Sequence, residues 1–471
     1  MKFTHKIIYI FLFVITAFSI SQCRREKINT TPFDLTFNDD TLLFDTVFTN
    51  LSPSTNPPSI YEVLKVKNTS KLKVKTNISL AGGVSSPFRI NVDGQSGTDF
   101  TNYEIAAGDS LYIFVEAYLK QNNINNPLVI TDSIIFENNG KLQNVKLVAW
   151  GQDAHYLAES IITQNTTWKN DGKPYVLYNF VAVDYKTKLT IEKGVHIYSH
   201  NNVRLYIGGT LDVQGDTNDK VIFEADRLQW EYKEVPNQWV GIRFLPESIN
   251  NKIKNCIIKN AIVGIEVDSV PVSGTYNLTL DQVEIKNMGQ VGIVGYSAAI
   301  KAINCLIYNC GKYTFAGVYG GKYDIYNSTF AVYNNTYINR KTAHFGFNNE
   351  VFKDANGIPL LMVALDYHLE NNIIYGDQEE EIEIGLDPNN STTTGEFFQK
   401  NIFKTKKLES KFLTQTNLVN EDPKFSKTDA MNYELNSDSK AISFGNIIGV
   451  NIDIRGKSRS GNPDIGCYEI K

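Results

Sequence analysis

The chain has 471 residues, a formal net charge of −5 and a pI near 5.8. That length accommodates two or three domains, and a hydrophobic share of 42% is enough to fill their cores. The mildly acidic balance carries no basic stripe, which excludes the electrostatic footprint of a nucleic-acid binder. Tyr, Phe, Ile, Val and Thr are abundant and favour pleated, half-buried surfaces over long amphipathic helices. At the N-terminus, Lys2, His5 and Lys6 precede an apolar run from Ile7 to Ile20. This is the layout of a signal-peptide h-region and is short for a membrane span. The run ends in Ser21-Gln22-Cys23.

A Cys directly after such a run resembles the lipobox of bacterial lipoproteins, whose Cys is acylated after cleavage. Gln22 departs from the small residue usual before that Cys, a departure that Bacteroidota lipoproteins tolerate. The resemblance implies a signal peptide over 1–22, a lipidated Cys23 and a tether over 23–32. A palmitate-type anchor would then hold the protein to a membrane without a spanning helix, in the cell envelope at the outer membrane. The basic stretch Arg24-Arg25-Glu26-Lys27 lacks the acidic cluster of many surface-exported lipoproteins. Surface-facing and periplasmic orientations therefore both stay open.

From Phe33 to Gly151 short strand patterns alternate with turn clusters. The predicted strands are Thr41–Phe48, Ile60–Lys67, Leu72–Leu80, Phe88–Val92, Ser110–Tyr118, Asp132–Glu137 and Gln143–Ala149. Seven such strands predict a β-sandwich over 33–152. Phe44-Asp-Thr-Val-Phe48, Val66-Lys-Asn68 and the Gly108-Asp109-Ser110 turn resemble the immunoglobulin-like domains of Bacteroidota envelope proteins. They are also similar to the sandwich class of the abnormal-spindle and hydin proteins. The resemblance implies a spacer or protein-contact module.

After a linker and lead-in coil from Asp153 to about Phe180, a motif returns every 22 to 28 residues. Its copies start at Asn255, Gln282, Asn304 and Asn327, with a further one at Asn371 after a double interval, and such a period marks a repeat architecture. Counting that residue as zero, position +3 is Ile258, Ile285, Ile307, Phe330 and Ile374, apolar in every copy as an inward stack must be. Position +1 is Cys256, Val283, Cys305, Ser328 and Asn372; position +2 varies freely and is expected to face outward. A second column is read as Gly241-Ile242, Gly264-Ile265, Gly292-Ile293 and Gly317-Val318. Asn at positions zero and +5 (Asn260, Asn287, Asn309) suits left-handed turns and amide ladders rather than ligand binding. Cys256 and Cys305 lie two repeats apart, roughly 10 Å at the coil spacing, too far for a disulfide.

Leu189–Tyr198, Leu205–Gly215, Val221–Glu224 and Trp239–Phe244 resemble the opening coils of a right-handed parallel β-helix of the pectate-lyase-like class. Residues 339–368 are expected to form an excursion, with coils resuming at 369–375 and 397–403. Asp422–Phe425, Asp453–Gly456 and Pro463–Glu469 resemble the terminal segment of secreted bacterial β-helix proteins, with Cys467 where Ala is typical. The expected fold is all-β: an immunoglobulin-like sandwich, a β-helix over 153–420 and a cap over 421–471 that covers the last open coil.

β-helix lyases use a Lys or Arg base with acidic residues on Ca²⁺; glycoside hydrolases use paired carboxylates. Either device needs several such groups on one outer face. Glu266 and Asp268 share a strand face, but their neighbours in the next coil are Val294 and Tyr296, so a surface ion pair with Arg243 is the simpler reading. Lys259 and Lys286 share a column and read as solvated. Asp377–Glu383 and Asp387 lack the ordered spacing of a Ca²⁺ loop and read as a solvated turn. Arg340, Lys341 and His344 form the basic cluster to test for a lyase, with a loop anchor as the alternative. Asp-Ser/Thr-aliphatic triplets at Asp45, Asp109, Asp132 and Asp268 match a Bacteroidota O-glycosylation sequon. The expected role is a non-catalytic glycan-binding or scaffolding lipoprotein with no catalytic residue, metal or cofactor assigned. The alternative is a polysaccharide lyase or glycoside hydrolase, for which alone Ca²⁺ is implied. Expected partners are a membrane, through the anchor, and a polysaccharide.

Overall fold

The computed structural model describes residues 27–49, 61–118, 128–268, 275–390, 392 and 394–470. The signal peptide and Cys23 lie outside the described residues. No described helix is long and apolar enough to cross a membrane. The chain divides into two compact units, Met1–Asp153 and Ala154–Lys471.

The first unit is a β-sandwich of two five-stranded sheets. Alternation drives it: Val74–Leu80 buries every second residue, and Phe44, Leu64, Ile78, Phe88, Ile113, Phe136 and Leu147 meet in one core. The strand Thr41–Phe48 pairs in parallel with Lys141–Gln152, whereas its sheet continues antiparallel through Leu128–Asn138. The strand Asp99–Ile105 escapes the sequence pattern. It is a polar edge strand, bulged opposite Thr76–Ile78, with Asn102 in the left-handed region at φ 54°. Three of the Asp-Ser/Thr triplets share one local device, in which the Asp carboxylate accepts the N–H of Thr46, Ser110 or Ser133 at 2.7 Å.

The second unit is a parallel β-helix. Each coil contributes up to three strands, which stack into three parallel sheets. The first sheet holds His196–Ser199, Val221–Ala225, Leu306–Cys310, Thr329–Val332 and Ile373–Gly376. The second holds Arg204–Ile207, Gly241–Phe244, Val263–Asp268, Val291–Tyr296, Tyr313–Val318, Phe345–Asn348 and Ile382–Gly385. The third holds Lys188–Glu192, Thr210–Gln214, Ala299–Ile303, Gly321–Tyr326, Leu365–Glu370 and Gly395–Gln399. The long strands Asn251–Lys259 and Leu278–Met288 run from the third sheet into the first around Asn255 and Gln282.

The repeat motif is the corner of this solenoid. Residues at position zero turn the chain from third sheet to first with positive φ: 45° at Asn255, 57° at Gln282, 51° at Asn304, 45° at Asn327 and 61° at Asn371. Asn tolerates this region best among residues with a Cβ. Asn260, Asn287 and Asn309 make the next corner, at 67°, 56° and 54°. Position +3 is fully buried and in register, Ile258 against Ile285, then Ile307, Phe330 and Ile374. Position +1 changes character along the stack. Cys256 and Cys305 are buried free thiols, but Asn372 and Asn401 form an interior amide ladder. Asn401 Oδ1 accepts the Asn372 N–H at 2.9 Å, and Asn417 Oδ1 accepts the Asn401 N–H at 2.9 Å.

Four expectations are corrected. Of the linker and lead-in coil expected over 153–180, the coil takes the whole segment: His155–Ile162 and Tyr175–Val183 already pair, shifting register at Ala158/Ser160. The fourth copy of the second column is Thr314-Phe315, because Ile293 pairs with Phe315 and Gly295 with Gly317. Gly295 and Gly317 serve instead to admit the buried Tyr323 ring, whose atoms would lie 3.2 and 2.5 Å from a Cβ at those positions. The excursion 339–368 contains two coil strands, Phe345–Asn348 and Leu365–Glu370. Finally, residues 421–471 do not cover the open coil. Phe412 of the short helix Glu409–Phe412 closes it against Phe398 and Phe403, with ring centroids 5.0 and 4.1 Å away.

The segment 421–471 lies along the outer side of the first sheet. Phe425, Tyr433, Leu435, Ala441, Ile454, Ile465 and Cys467 pack on Leu306, Tyr308, Ala331, Ile373 and Ile402. Position +2 therefore points out of the solenoid but is buried in the later coils: Leu306, Thr329 and Ile373 are at most 2% exposed. Corner amides dock the segment, Gln282 Nε2 to Asp453 O at 2.9 Å and Asn304 Nδ2 to Ile452 O at 2.8 Å. The Asp-Ile-Gly-Cys-Tyr-Glu stretch closes on itself. Glu469 Oε2 accepts the Asp464 N–H and Arg459 Nη1 at 3.0 Å each, and Asp464 Oδ2 accepts the Ile470 N–H at 2.7 Å.

Candidate functional site

Strands of a solenoid turn alternate side chains outward, so each sheet displays columns of residues one coil apart, about 4.8 Å. On the third sheet two such columns converge. One runs Lys301, Asp324, His368, Phe397; the other runs Ile303, Tyr326, Glu370. Lys322 and Asp366 pair beside them, and Tyr276 comes in from the preceding corner. The Tyr276 hydroxyl donates to Asp324 Oδ2. Lys322 Nζ lies 3.8 Å from the same carboxylate and 5.6 Å from the Tyr276 ring. Lys301 Nζ sits between two rings, 5.9 Å from Tyr276 and 5.7 Å from Tyr326.

The row continues through His368. Its ring lies 5.0 Å from Tyr326 and 4.0 Å from Phe397. His368 Nε2 meets Glu370 Oε2 at 2.9 Å, and Asn446 donates to Glu370 Oε1 at 2.7 Å. Burial pushes the Glu370 carboxyl up, but these two hydrogen bonds outweigh it and hold the group below its ordinary value. Burial, with the Asp324, Glu370 and Asp366 charges, pushes the Tyr326 phenol up to about 12, so it stays a neutral donor. Lys322 and Asp366 are exposed, while Tyr276, Lys301, Tyr326, His368 and Phe397 are half-buried. The face thus offers three ring edges or faces, three nitrogen donors and the exposed Asp366 carboxylate, with the Asp324 and Glu370 carboxylates buried behind them.

The sequence-predicted residues do not assemble into one centre. Glu266 and Asp268 lie on the outer face of the second sheet, paired with Arg204 (3.1 Å) and with Arg243 Nε (2.7 Å to Asp268), as the surface-ladder reading has it. Arg340 and His344 are buried with Glu381 several coils further on, on the path to Phe345 and Ile382. Arg340 holds Glu381 through two contacts, Nη1–Oε2 2.7 Å and Nη2–Oε1 3.0 Å; this is a loop anchor. Burial, and then the Arg340 charge, push the His344 pKa well down, so its ring is neutral. Lys341 is exposed and lines a groove beside this loop.

Two readings of charged residues change. Lys259 is not solvated. It is buried, and its Nζ meets Glu224 Oε2 at 2.5 Å, while Glu224 Oε1 meets His196 Nε2 at 2.5 Å. The Asp377–Glu383 run is a turn solvated only in part, with Asp377, Glu379 and Glu383 exposed. Glu380 accepts the Lys406 and Lys407 N–H groups at 3.1 Å, Glu379 pairs with Lys406, and Glu381 is buried. Among the described residues no group of three or more His, Cys, Asp or Glu is placed to hold a metal ion.

The third-sheet face was legible in the motif's own register. Position −3 is Lys301, Asp324, His368 and Phe397, and position −1 is Ile303, Tyr326, Glu370 and Gln399. Extending the two aligned columns three residues upstream exposes it.

No family model matches the chain, and no curated protein matches it. Among solved structures, the chain is similar to the E. coli chaperone DraB at 12% identity and a TM-score of 0.18, over 26% of this chain and 57% of that one. It is similar to the YadV chaperone at 9% identity and a TM-score of 0.18, over 26% and 52%. The matches span little more than half of either chaperone.

Proposed function

We propose that this protein is a cell-envelope lipoprotein, anchored through Cys23, whose β-helix binds carbohydrate chains without cleaving them. The resemblance of residues 1–23 to a Bacteroidota lipoprotein signal, and of the C-terminal segment to secreted pectate-lyase-like β-helix proteins, supports this placement. One observation carries the binding role: Tyr276, Tyr326 and Phe397 stand on one face among Asp324, Asp366, Glu370, Lys301, Lys322 and His368. The apolar faces of sugar rings pack on aromatic rings. Sugar hydroxyls exchange hydrogen bonds with carboxylates and amines. A row repeating with each coil suits a polymer lying along the helix axis.

A polysaccharide lyase or glycoside hydrolase is the second reading, because carboxylates and a lysine do converge on this face. Against it, Asp324 is held by Tyr276, and Glu370 by His368 and Asn446, so both acids serve as fixed acceptors. A screen on neutral and acidic polysaccharides, with and without Ca²⁺, separates the two. Retention without new reducing or unsaturated ends is expected; product formation would sink the binding-only reading. Palmitate labelling in cells is expected for the full chain and lost in Cys23→Ser, and retained labelling would refute the anchor.

A further inference from the structure

The C-terminal segment does more than cover the first sheet. Around residues 444–447 it turns past the corner at Asn371 and reaches the rim of the third-sheet face. The approach is close: a Cβ at Gly445 would lie 2.8 Å from Pro463 O and 3.1 Å from Asn371 Oδ1, which is why a glycine stands there. Asn371 is fully buried, and its side-chain amide grips the Asn446 main chain through both N–H and C=O. Asn371 Oδ1 accepts the Asn446 N–H at 2.8 Å, and Asn371 Nδ2 donates to Asn446 O at 2.8 Å. The Asn446 side chain is used differently: its Nδ2 donates to Glu370 Oε1 at 2.7 Å.

Glu370 is 7% exposed and lies behind the rings rather than beside a ligand. What it acts on is His368. A carboxylate only accepts hydrogen bonds, so the Nε2 that meets Glu370 Oε2 at 2.9 Å carries the proton. In a neutral imidazole this makes Nδ1 the acceptor. His368 Nδ1 lies 3.4 Å from the Tyr326 hydroxyl, a long contact, and its side chain is 32% exposed between Tyr326 and Phe397. Asn446 fixes the other oxygen of Glu370, and with it the plane of the carboxylate that sets the ring.

We propose that Asn446 is a positioning residue of the third-sheet site: it holds Glu370, Glu370 holds the His368 ring, and His368 Nδ1 accepts a hydrogen bond from a sugar hydroxyl. This role rests on the glycan reading of that face. It adds a requirement to the ligand, a free hydroxyl that donates where the chain passes between Tyr326 and Phe397. It also gives the C-terminal segment a part in binding that its packing on the first sheet does not disclose.

Two measurements on the full chain test it. Imidazole nitrogen shifts, taken under alkaline conditions that keep imidazoles neutral, report which nitrogen carries the proton; His368→Gln identifies the signals of His368 among the six His. The wild-type ring should be protonated on Nε2. In Asn446→Ala it should become a mixture of both tautomers, and affinity for a polysaccharide that retards the wild type should fall about fivefold, the worth of one hydrogen bond. The urea midpoint should stay close to wild type, because Asn371 grips the main chain of residue 446 and not its side chain. Asn446→Asp, equal in size but without the donor, should do the same and serves if the alanine loosens the segment. An unchanged tautomer in both variants, or a changed tautomer with unchanged affinity, overturns the role of Asn446 and leaves the glycan reading standing. If no polysaccharide retards the wild type, the glycan reading falls and this role falls with it.

Discussion

Replacing Asn401 with Leu is expected to destabilise the β-helix by about 3 kcal/mol or more, despite the added apolar volume. Asn401 is fully buried, and its side chain serves five partners. Its Oδ1 accepts the Asn372 backbone N–H (2.9 Å) and Nδ2 (3.0 Å). Its Nδ2 faces the carbonyls of Leu369 (2.8 Å) and Gln399 (3.0 Å) and Asn417 Oδ1 (3.0 Å). Leu satisfies none of them, and each buried group left without a partner costs about 1–3 kcal/mol. The urea midpoint of the second unit measures this. A loss under 1 kcal/mol would mean that the amide ladder is decorative.

At pH 8, where Glu381 is ionised in the wild type, Arg340→Met should cost about 3–5 kcal/mol, the penalty of leaving a buried charge without its partner. Arg340 and Glu381 are both buried, joined by two contacts of 2.7 and 3.0 Å. Burial pushes the Glu381 carboxyl up to about 7 even against the pull of Arg340. A carboxyl whose folded pKa is raised is most favourable below its unfolded value near 4.5, and that stability is lost as pH rises through the folded pKa. Wild-type stability from this group therefore declines between about pH 4.5 and 7, and without the guanidinium the decline steepens. The gap between Arg340→Met and wild type should be larger at pH 8 than at pH 5. Arg340→Met with Glu381→Leu should recover the part of the loss that comes from the stranded carboxylate, while the Thr342 and Val332 carbonyls that Arg340 also serves stay without it.

These two sites show what the sequence disclosed and what it did not. Position +3 was readable because an interior column must be apolar in every coil, and Ile258 to Ile374 obey that rule without exception. The Asn corners were readable because few other residues accept φ near +50°. Register failed at Gly317, a glycine outside the column that makes room for Tyr323 of another strand, while the column itself continues as Thr314-Phe315. Burial of Lys259 was hidden because its partner Glu224 lies a coil earlier, at a position no local pattern connects to it. Side cover by residues 421–471 was hidden for the same reason: position +2 looks solvent-facing until a distant segment lies over Leu306 and Ile373. The third-sheet face was present in the text at −3 and −1 but looked like ordinary surface, since only stacking brings Lys301, Asp324 and His368 into one row.

Gel-affinity electrophoresis of the full chain through gels cast with individual polysaccharides puts the binding role to the most direct test. At least one polysaccharide should retard the wild-type protein. Two rings at about 0.5–1.5 kcal/mol each set the expected loss in Tyr326→Ala with Phe397→Ala at about tenfold or more in affinity. Far-UV spectrum and urea midpoint should remain close to wild type, because both rings lie on the outer face. Unretarded wild type on every polysaccharide, or equal retardation of the double variant, would contradict a glycan site on the third sheet.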